Sequence, residues 1–351
     1  MTQSNNINSA RSQASPDPSL DENVSHYPTP GWQKFGAHQW HDSDLSDQLH
    51  QAMIDIGDGI ELCVEAGGNP NHPPLLMVMG LGSQMIFWPE NFIKRLIDAG
   101  FFVIRFDNRD IGLSSKVQID GLPRISQLKM MMRLQTGLSN KSAQVAYNLT
   151  DMAEDTARLI KALQLGKTHL LGASMGGMIA QIVAARYPSL VQRMALMFTT
   201  TNRAFLRPPK PRQLYTLINR PESHSERDIV RHSVWFMKTV GTPGHVNVRM
   251  VREIAKIRYQ RSFHPLGTVQ QLNAILASGS ISRYSKQVKA PTIVLHGSAD
   301  GLLPASQGRV VAKTIPNAKF YLIEGMAHDI PEYYQPYMVD IISNHLLAHR
   351  S

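Results

Sequence analysis

Short runs of apolar residues alternate along most of the chain with longer stretches whose apolar residues recur every three or four positions. The first pattern predicts strands and the second predicts amphipathic helices. The strand runs are PPLLMVMG (73–80), FFVIRFD (101–107), THLLGA (168–173), RMALMF (193–198), PTIVLHG (291–297) and KFYLIEG (319–325). Most are apolar at every position, as expected of strands buried on both faces of a parallel sheet. Helices are predicted near WPENFIKRLIDAG (88–100), over DMAEDTARLIKALQLG (151–166), over GGMIAQIVAARYP (176–188), and near 305–314 and 332–348. Asp151, with Glu154 three residues on, has the spacing of a capping box, and Gly100 and Gly166 are helix stops. Upstream, QAMIDIGDGIELCVEAGG alternates on both sides of Gly57-Asp58-Gly59, which predicts a hairpin and hence an antiparallel edge. The order of elements predicts an α/β fold, a mostly parallel sheet with helices on both faces.

Residues 203–286 break the alternation. Ser225 and Asp228 are placed to cap a helix carrying Val230, Val234 and Met237, and a second helix carries Val251, Ile254 and Ala255. We read the segment as a helical cap inserted into the core. The expected division is a disordered or extended tail over 1–45, a core of 46–202 and 287–351, and the cap over 203–286. The cap also holds the charge. The whole chain is +9, whereas 203–286 has fifteen Lys or Arg against four Asp or Glu, a local balance of +11. Such a segment is more often a solvated face than a binding surface, and no nucleic-acid recognition motif accompanies it. The N-terminus has no apolar segment of the kind that directs secretion, and no apolar run reaches membrane-spanning length. One cysteine, Cys63, excludes an intrachain disulfide and suits a reducing compartment, so the expected location is cytoplasmic.

Chemistry gathers at the predicted carboxyl ends of strands. Gly172-Ala173-Ser174-Met175-Gly176 lies where THLLGA gives way to a helix. A sharp turn there needs small neighbours and lifts the serine hydroxyl clear of the sheet, so Ser174 is the candidate nucleophile. A serine needs a base. His328, in EGMAHDIP just after the last strand, has small flanks, Gly325 and Ala327, that let its ring approach another element. The other histidines are expected to need no special role, and His296 is expected to be structural at its strand end. Asp300, in LHGSADGLLP, is the candidate orienting acid, whereas Asp329, beside His328, is poorly placed to turn toward it. The order Ser174, Asp300, His328 matches the serine, acid, histidine order of a known hydrolase architecture. The backbone N–H groups of Met175 and of Leu81, between two glycines in MGLGS, are the candidate oxyanion donors.

These residues resemble the α/β-hydrolase superfamily from about residue 50 to the C-terminus. DNRDIGLS (107–114) is similar to the family's D-x-R-G-x-G-x-S loop. Asp110 stands in place of the usual glycine, as in the serine esterase branch that includes aclacinomycin methylesterase-like proteins. The resemblance implies that Asp107 and Arg109 are structural. The oxyanion loop begins Met79-Gly80 where the family often has His-Gly. A serine nucleophile rather than an aspartate argues against haloalkane dehalogenases and epoxide hydrolases of this fold.

The expected activity is hydrolysis of short- or medium-chain carboxylic esters through an acyl-enzyme, with no metal or organic cofactor required. A lactonase, thioesterase, perhydrolase or acyltransferase would use the same three residues, and a non-catalytic ligand-binding protein of this fold is the alternative of another class. Met79, Phe87, Trp88, Trp235, Leu302 and Leu303 are the candidate substrate contacts, with Met85, Met175, Met178, Met326, Phe236 and Met237 nearby; of these Met178 is expected to be a core filler. The expected partner is a small-molecule ester, anionic or lipid-like; no nucleic acid is expected, and the oligomeric state is not legible.

Overall fold

Nine strands form one sheet in the order β1-β2-β3-β5-β4-β6-β7-β8-β9. The computed structural model describes residues 38–123 and 125–348. The strands are β1 (His41–Ser43), β2 (Ser46–Asp55), β3 (Glu61–Gly67), β4 (Pro74–Val78), β5 (Phe102–Phe106), β6 (Thr168–Ala173), β7 (Val191–Met197), β8 (Thr292–Gly297) and β9 (Lys319–Ile323). From β5 onward across the sheet the pairs are parallel, while β1, β2 and β3 are antiparallel, as is β3 against β5. Of the expected tail, residues 1–37 lie outside the described residues. His41–Ser43, at the tail's expected end, is an edge strand instead, because its backbone pairs with β2.

Continuous apolar runs have the cause inferred from the sequence. Leu76 and Val78 of β4 face one buried layer, packed with α3 (Leu149–Ala162) and α4 (Met175–Arg186). Leu75 and Met77 face the other, packed with α1 (Glu90–Asp98) and α11 (Gln335–Leu346). Arg105 interrupts the apolar run of β5, and its cross-strand partner Glu65 answers it at 2.6 Å, with the two side chains 2% and 0% exposed. A buried cation is tolerable only when paired in this way.

The α3 cap differs from the expected one. Asn148 is the N-cap and accepts from Thr150 N at 2.7 Å, while Asp151 reaches back to Asn148 N at 2.8 Å. Asp151 is thus the third helical residue, and Glu154 bonds Tyr187 instead. Asparagine is as good a cap as aspartate, so the cap lies three positions earlier than expected, at Asn148 rather than Asp151. The short helix α2 (Gln127–Gln135) was not anticipated.

Residues 203–286 contain α5 (Pro211–Ile218), α6 (Glu226–Val240), α7 (Val248–Arg261), α8 (Pro265–Ser278) and α9 (Ser282–Ser285), with no strand among the described residues there. Core helix α10 (Ala305–Thr314) follows β8. Among the described residues, no helix is long and apolar enough to cross a membrane.

The chain runs from β4 to β5 on one side and then returns to β6 on the other. The carboxyl end of β4 is therefore a topological switch point, where an open sheet leaves a crevice between diverging connections.

Candidate active site

The crevice beside β4 is filled by the turn after β6. Ser174 has φ 54° and ψ −117°, in the left-handed region that L residues seldom occupy. Its neighbours explain how the turn is held. A Cβ on Gly176 would stand 1.9 Å from Val78 O, and one on Gly172 would stand 2.6 Å from Gly176 O. Only glycine lets β4, β6 and α4 meet so closely. Thr199 Oγ1 donates to Ser174 O at 2.7 Å and secures the turn from the β7 side.

His328 Nε2 lies 3.0 Å from Ser174 Oγ, and its Nδ1 lies 2.8 Å from Asp300 Oδ2. Residues from three strand tips thus form one hydrogen-bonded chain. Asp300 Oδ1 accepts from the amides of Leu302 and Leu303 at 2.9 and 2.8 Å, which leaves Oδ2 for the ring. His296 also reaches Asp300 Oδ2, at 3.3 Å, and donates from Nε2 to Leu303 O at 2.7 Å. Burial pushes the Asp300 carboxyl up, but the charge of His328 and the hydrogen bonds from His296 and His328 outweigh it and hold the pKa below the usual carboxylate range.

Asp329 turns away from the ring's Nδ1. Its carboxylate accepts from the amide and hydroxyl of Thr242, at the end of α6, and that hydroxyl accepts from Ala327 N at 2.9 Å. His328 N donates to Val240 O at 3.1 Å. The loop carrying the histidine is therefore clasped to the end of α6. Burial raises the Asp329 pKa, partly offset by the Thr242 hydrogen bonds.

The loop after β4 passes over the serine. A Cβ on Gly80 would come within 3.2 Å of Ser174 Cβ. Asn108 Nδ2 donates to Met79 O at 3.1 Å, and Gln271 of α8 accepts from Gly82 N at 2.9 Å. Gln84 donates to the carbonyls of Arg258 and Ser262, both at 3.0 Å. Among the described residues, the amides of Leu81 and Met175 donate to no protein acceptor. Asp107 accepts from Met85 N and Leu113 N and pairs with Arg261 of α7, while Arg109 grips Asp155 of α3 through two bonds. Asp110, at φ 71°, is tolerated in a glycine conformation because its carboxylate takes Val117 N and the Tyr147 hydroxyl.

A cavity of about 980 Å³ opens onto Ser174 and His328. Met79, Phe87, Leu302 and Leu303 line it as expected. Two expected contacts do not. Trp88 is 1% exposed and stacks on Phe92 in the layer behind the sheet, because the helical turn at Met85–Phe87 points consecutive side chains to different sides. Trp235 faces Tyr215 and His232 within the cap rather than the cavity. Met85 and Met326 are buried away from the cavity, and Met178 is packed in the core as expected, 2% exposed, while also bordering the cavity.

Sequence reasoning did not find Phe198, whose ring lies 4.7 Å from that of His328, or Asn108, which lay unassigned within a quoted motif. It also passed over His224, His232, His245 and His264, all of which line the cavity. No local signal distinguishes a cap histidine that faces inward.

Residues 73–333 match the family described as alpha/beta hydrolase fold. The chain belongs to this family, and it is a hydrolase. It is 24% identical over 298 residues to rhodomycin D methylesterase DnrP of Streptomyces peucetius, covering 78% of this chain and 91% of that one. It is 29% identical over 260 residues to a poly(3-hydroxyalkanoate) depolymerase of Ectopseudomonas oleovorans, covering 73% and 78%. Among solved structures, the enol-lactonase from Burkholderia xenovorans LB400 superposes with a TM-score of 0.63 at 17% identity, covering 84% of this chain and all of that one.

Proposed function

We propose that this hydrolase cleaves short- or medium-chain carboxylic esters through a covalent acyl-enzyme, with Ser174, His328 and Asp300 as its catalytic residues. The hydrogen-bonded chain from Ser174 through His328 to Asp300, at the floor of the cavity, carries this reading. Ser174 Oγ attacks the ester carbonyl carbon while its proton passes to His328 Nε2. The carbonyl oxygen becomes an oxyanion, received by the free amides of Leu81 and Met175. Asp300 holds the ring and balances its positive charge. When the intermediate collapses, the bond to the alkoxy oxygen breaks and that oxygen takes the proton from Nε2. Water then adds to the acyl-enzyme, giving a proton to Nε2. The acyl bond to Oγ breaks and the proton returns to Oγ. One ester and one water become one acid and one alcohol. A methylesterase among the relatives supports this chemistry. The single cysteine is a buried free thiol, which suits a cytoplasmic setting.

Stoichiometric labelling by a fluorophosphonate, together with turnover of p-nitrophenyl esters of rising chain length, tests the assignment. Ser174→Ala is expected to lose labelling and to lower kcat on the order of 10⁶-fold. Full activity in that variant would refute the mechanism.

A further inference from the structure

Most cap cations lie on its surface, but Arg258 of α7 turns into the cavity. Its Nη2 donates to Gly82 O at 3.2 Å, and its guanidinium carbon lies 4.4 Å from the centre of the Phe87 ring. Its Nε is sealed from solvent and has no acceptor among the described residues. Other arginines turned into the protein are matched, Arg261 by Asp107, Arg105 by Glu65 and Arg109 by Asp155, whereas Arg203 and Arg220, which also border the cavity, are exposed to solvent. Among the described residues no carboxylate pairs with Arg258. Asp107, the acid whose field reaches it, is already committed to Arg261 and two amides. The three acids that line the cavity are also engaged, Asp110 by Tyr147, Asp329 by Thr242 and Glu332 by Asn91. Burial lowers the Arg258 pKa to about 10, so it is a cation at neutral pH. A cation held in a largely apolar cavity without a counter-charge is costly unless a ligand supplies one.

We propose that Arg258 is an anion subsite and that the natural substrate is an ester carrying a carboxylate. This rests on the ester-hydrolase reading above. Gly82 is two residues beyond Gly80, where an added Cβ would lie 3.7 Å from Ser174 Oγ. Chain reach therefore puts the nearest guanidinium nitrogen at most about 18 Å from the hydroxyl, within the span of one small molecule. The planar fork suits a carboxylate, and Phe87 beneath it fixes the plane.

The test uses two ladders of esters, each matched to neutral esters of equal length that end in a methyl group. One ladder, monomethyl esters of dicarboxylic acids of four to twelve carbons, places the charge on the acyl side. The other, ω-carboxyalkyl acetates, places it on the alcohol side. In the wild type, one ladder is expected to exceed its neutral counterpart in kcat/KM about ten- to hundredfold at a preferred length, mainly through KM. Arg258→Met is expected to abolish that ratio and Arg258→Lys to retain part of it. A purely structural role would lower both members of each pair alike and leave the ratio intact. The subsite is overturned if neither ladder shows a preference in the wild type, or if the preference survives in Arg258→Met. Fluorophosphonate labelling of Ser174 separates the two readings. Labelling without a charge preference defeats only the subsite, whereas no labelling and no turnover of any ester defeats both.

Discussion

At the residue scale, the site depends on side chains that are missing as much as on those present. Gly176 has no Cβ, and the Val78 carbonyl occupies the place where one would be. Backbone oxygen cannot swing aside as a flexible side chain does. Gly176→Ala is therefore expected to force α4 away from β4, to destabilise the fold by about 3 kcal/mol and to misplace the serine. Denaturant unfolding and the rate of fluorophosphonate labelling check this. Wild-type stability with unchanged labelling would show that the turn tolerates a methyl group. Ser174 shows the complementary case, a strained φ of 54° kept because the surrounding packing overdetermines it.

At the element scale, the helices of 203–286 and the sheet share the site. The end of α6 holds the His328 loop through Thr242 and Asp329, while α7 and α8 hold the loop after β4 through Arg261, Gln271 and the carbonyls that bind Gln84. Thr242 is buried, and its hydroxyl serves both Asp329 and Ala327 N. Thr242→Val keeps the shape but strands the Ala327 amide and leaves Asp329 held only by the backbone amide of residue 242. The expected cost is about 2 kcal/mol, with a lower kcat because His328 lies between the residue that loses its anchor and the one whose anchor is weakened. Parallel measurement of unfolding and of kcat decides it; a stability loss with kcat unchanged would show that the clasp is not coupled to the histidine.

At the scale of the whole molecule, the buried sheet sets the response to acid. His169 of β6 packs edge-on against Phe101, and its buried Nδ1 has no hydrogen-bond partner among the described residues. Burial, aided by Arg193 and His345, lowers its pKa to about 4. An unfolded chain binds that proton near pH 6.5, so the unfolded state carries more protons between about 6.5 and 4. Stability should therefore fall as pH drops through this window, by up to about 3 kcal/mol from this residue. The Asp300 carboxyl, held low, loses its contribution only at more acidic pH. His169→Phe is expected to flatten the change in unfolding midpoint between pH 7 and pH 4.5. An unchanged slope would assign the acid sensitivity elsewhere.

Hydrophobic periodicity alone determined the strands of the parallel sheet and the helices that flank them, because burial on both faces leaves a continuous apolar run in the sequence. It also determined which strand ends carry Ser174, Asp300 and His328, since turn residues mark where each strand stops. Other features are decided only by long-range packing. The start of α3 depends on which of two competent polar residues meets the free amides. Trp88 and Trp235 turn from the cavity because neighbouring helices choose the side each residue presents. Arg258 and Arg261 read as two charges among the fifteen of a basic segment. Whether such a charge meets water, a carboxylate or a cavity is settled by residues more than 150 positions away, and no local pattern encodes a contact at that distance.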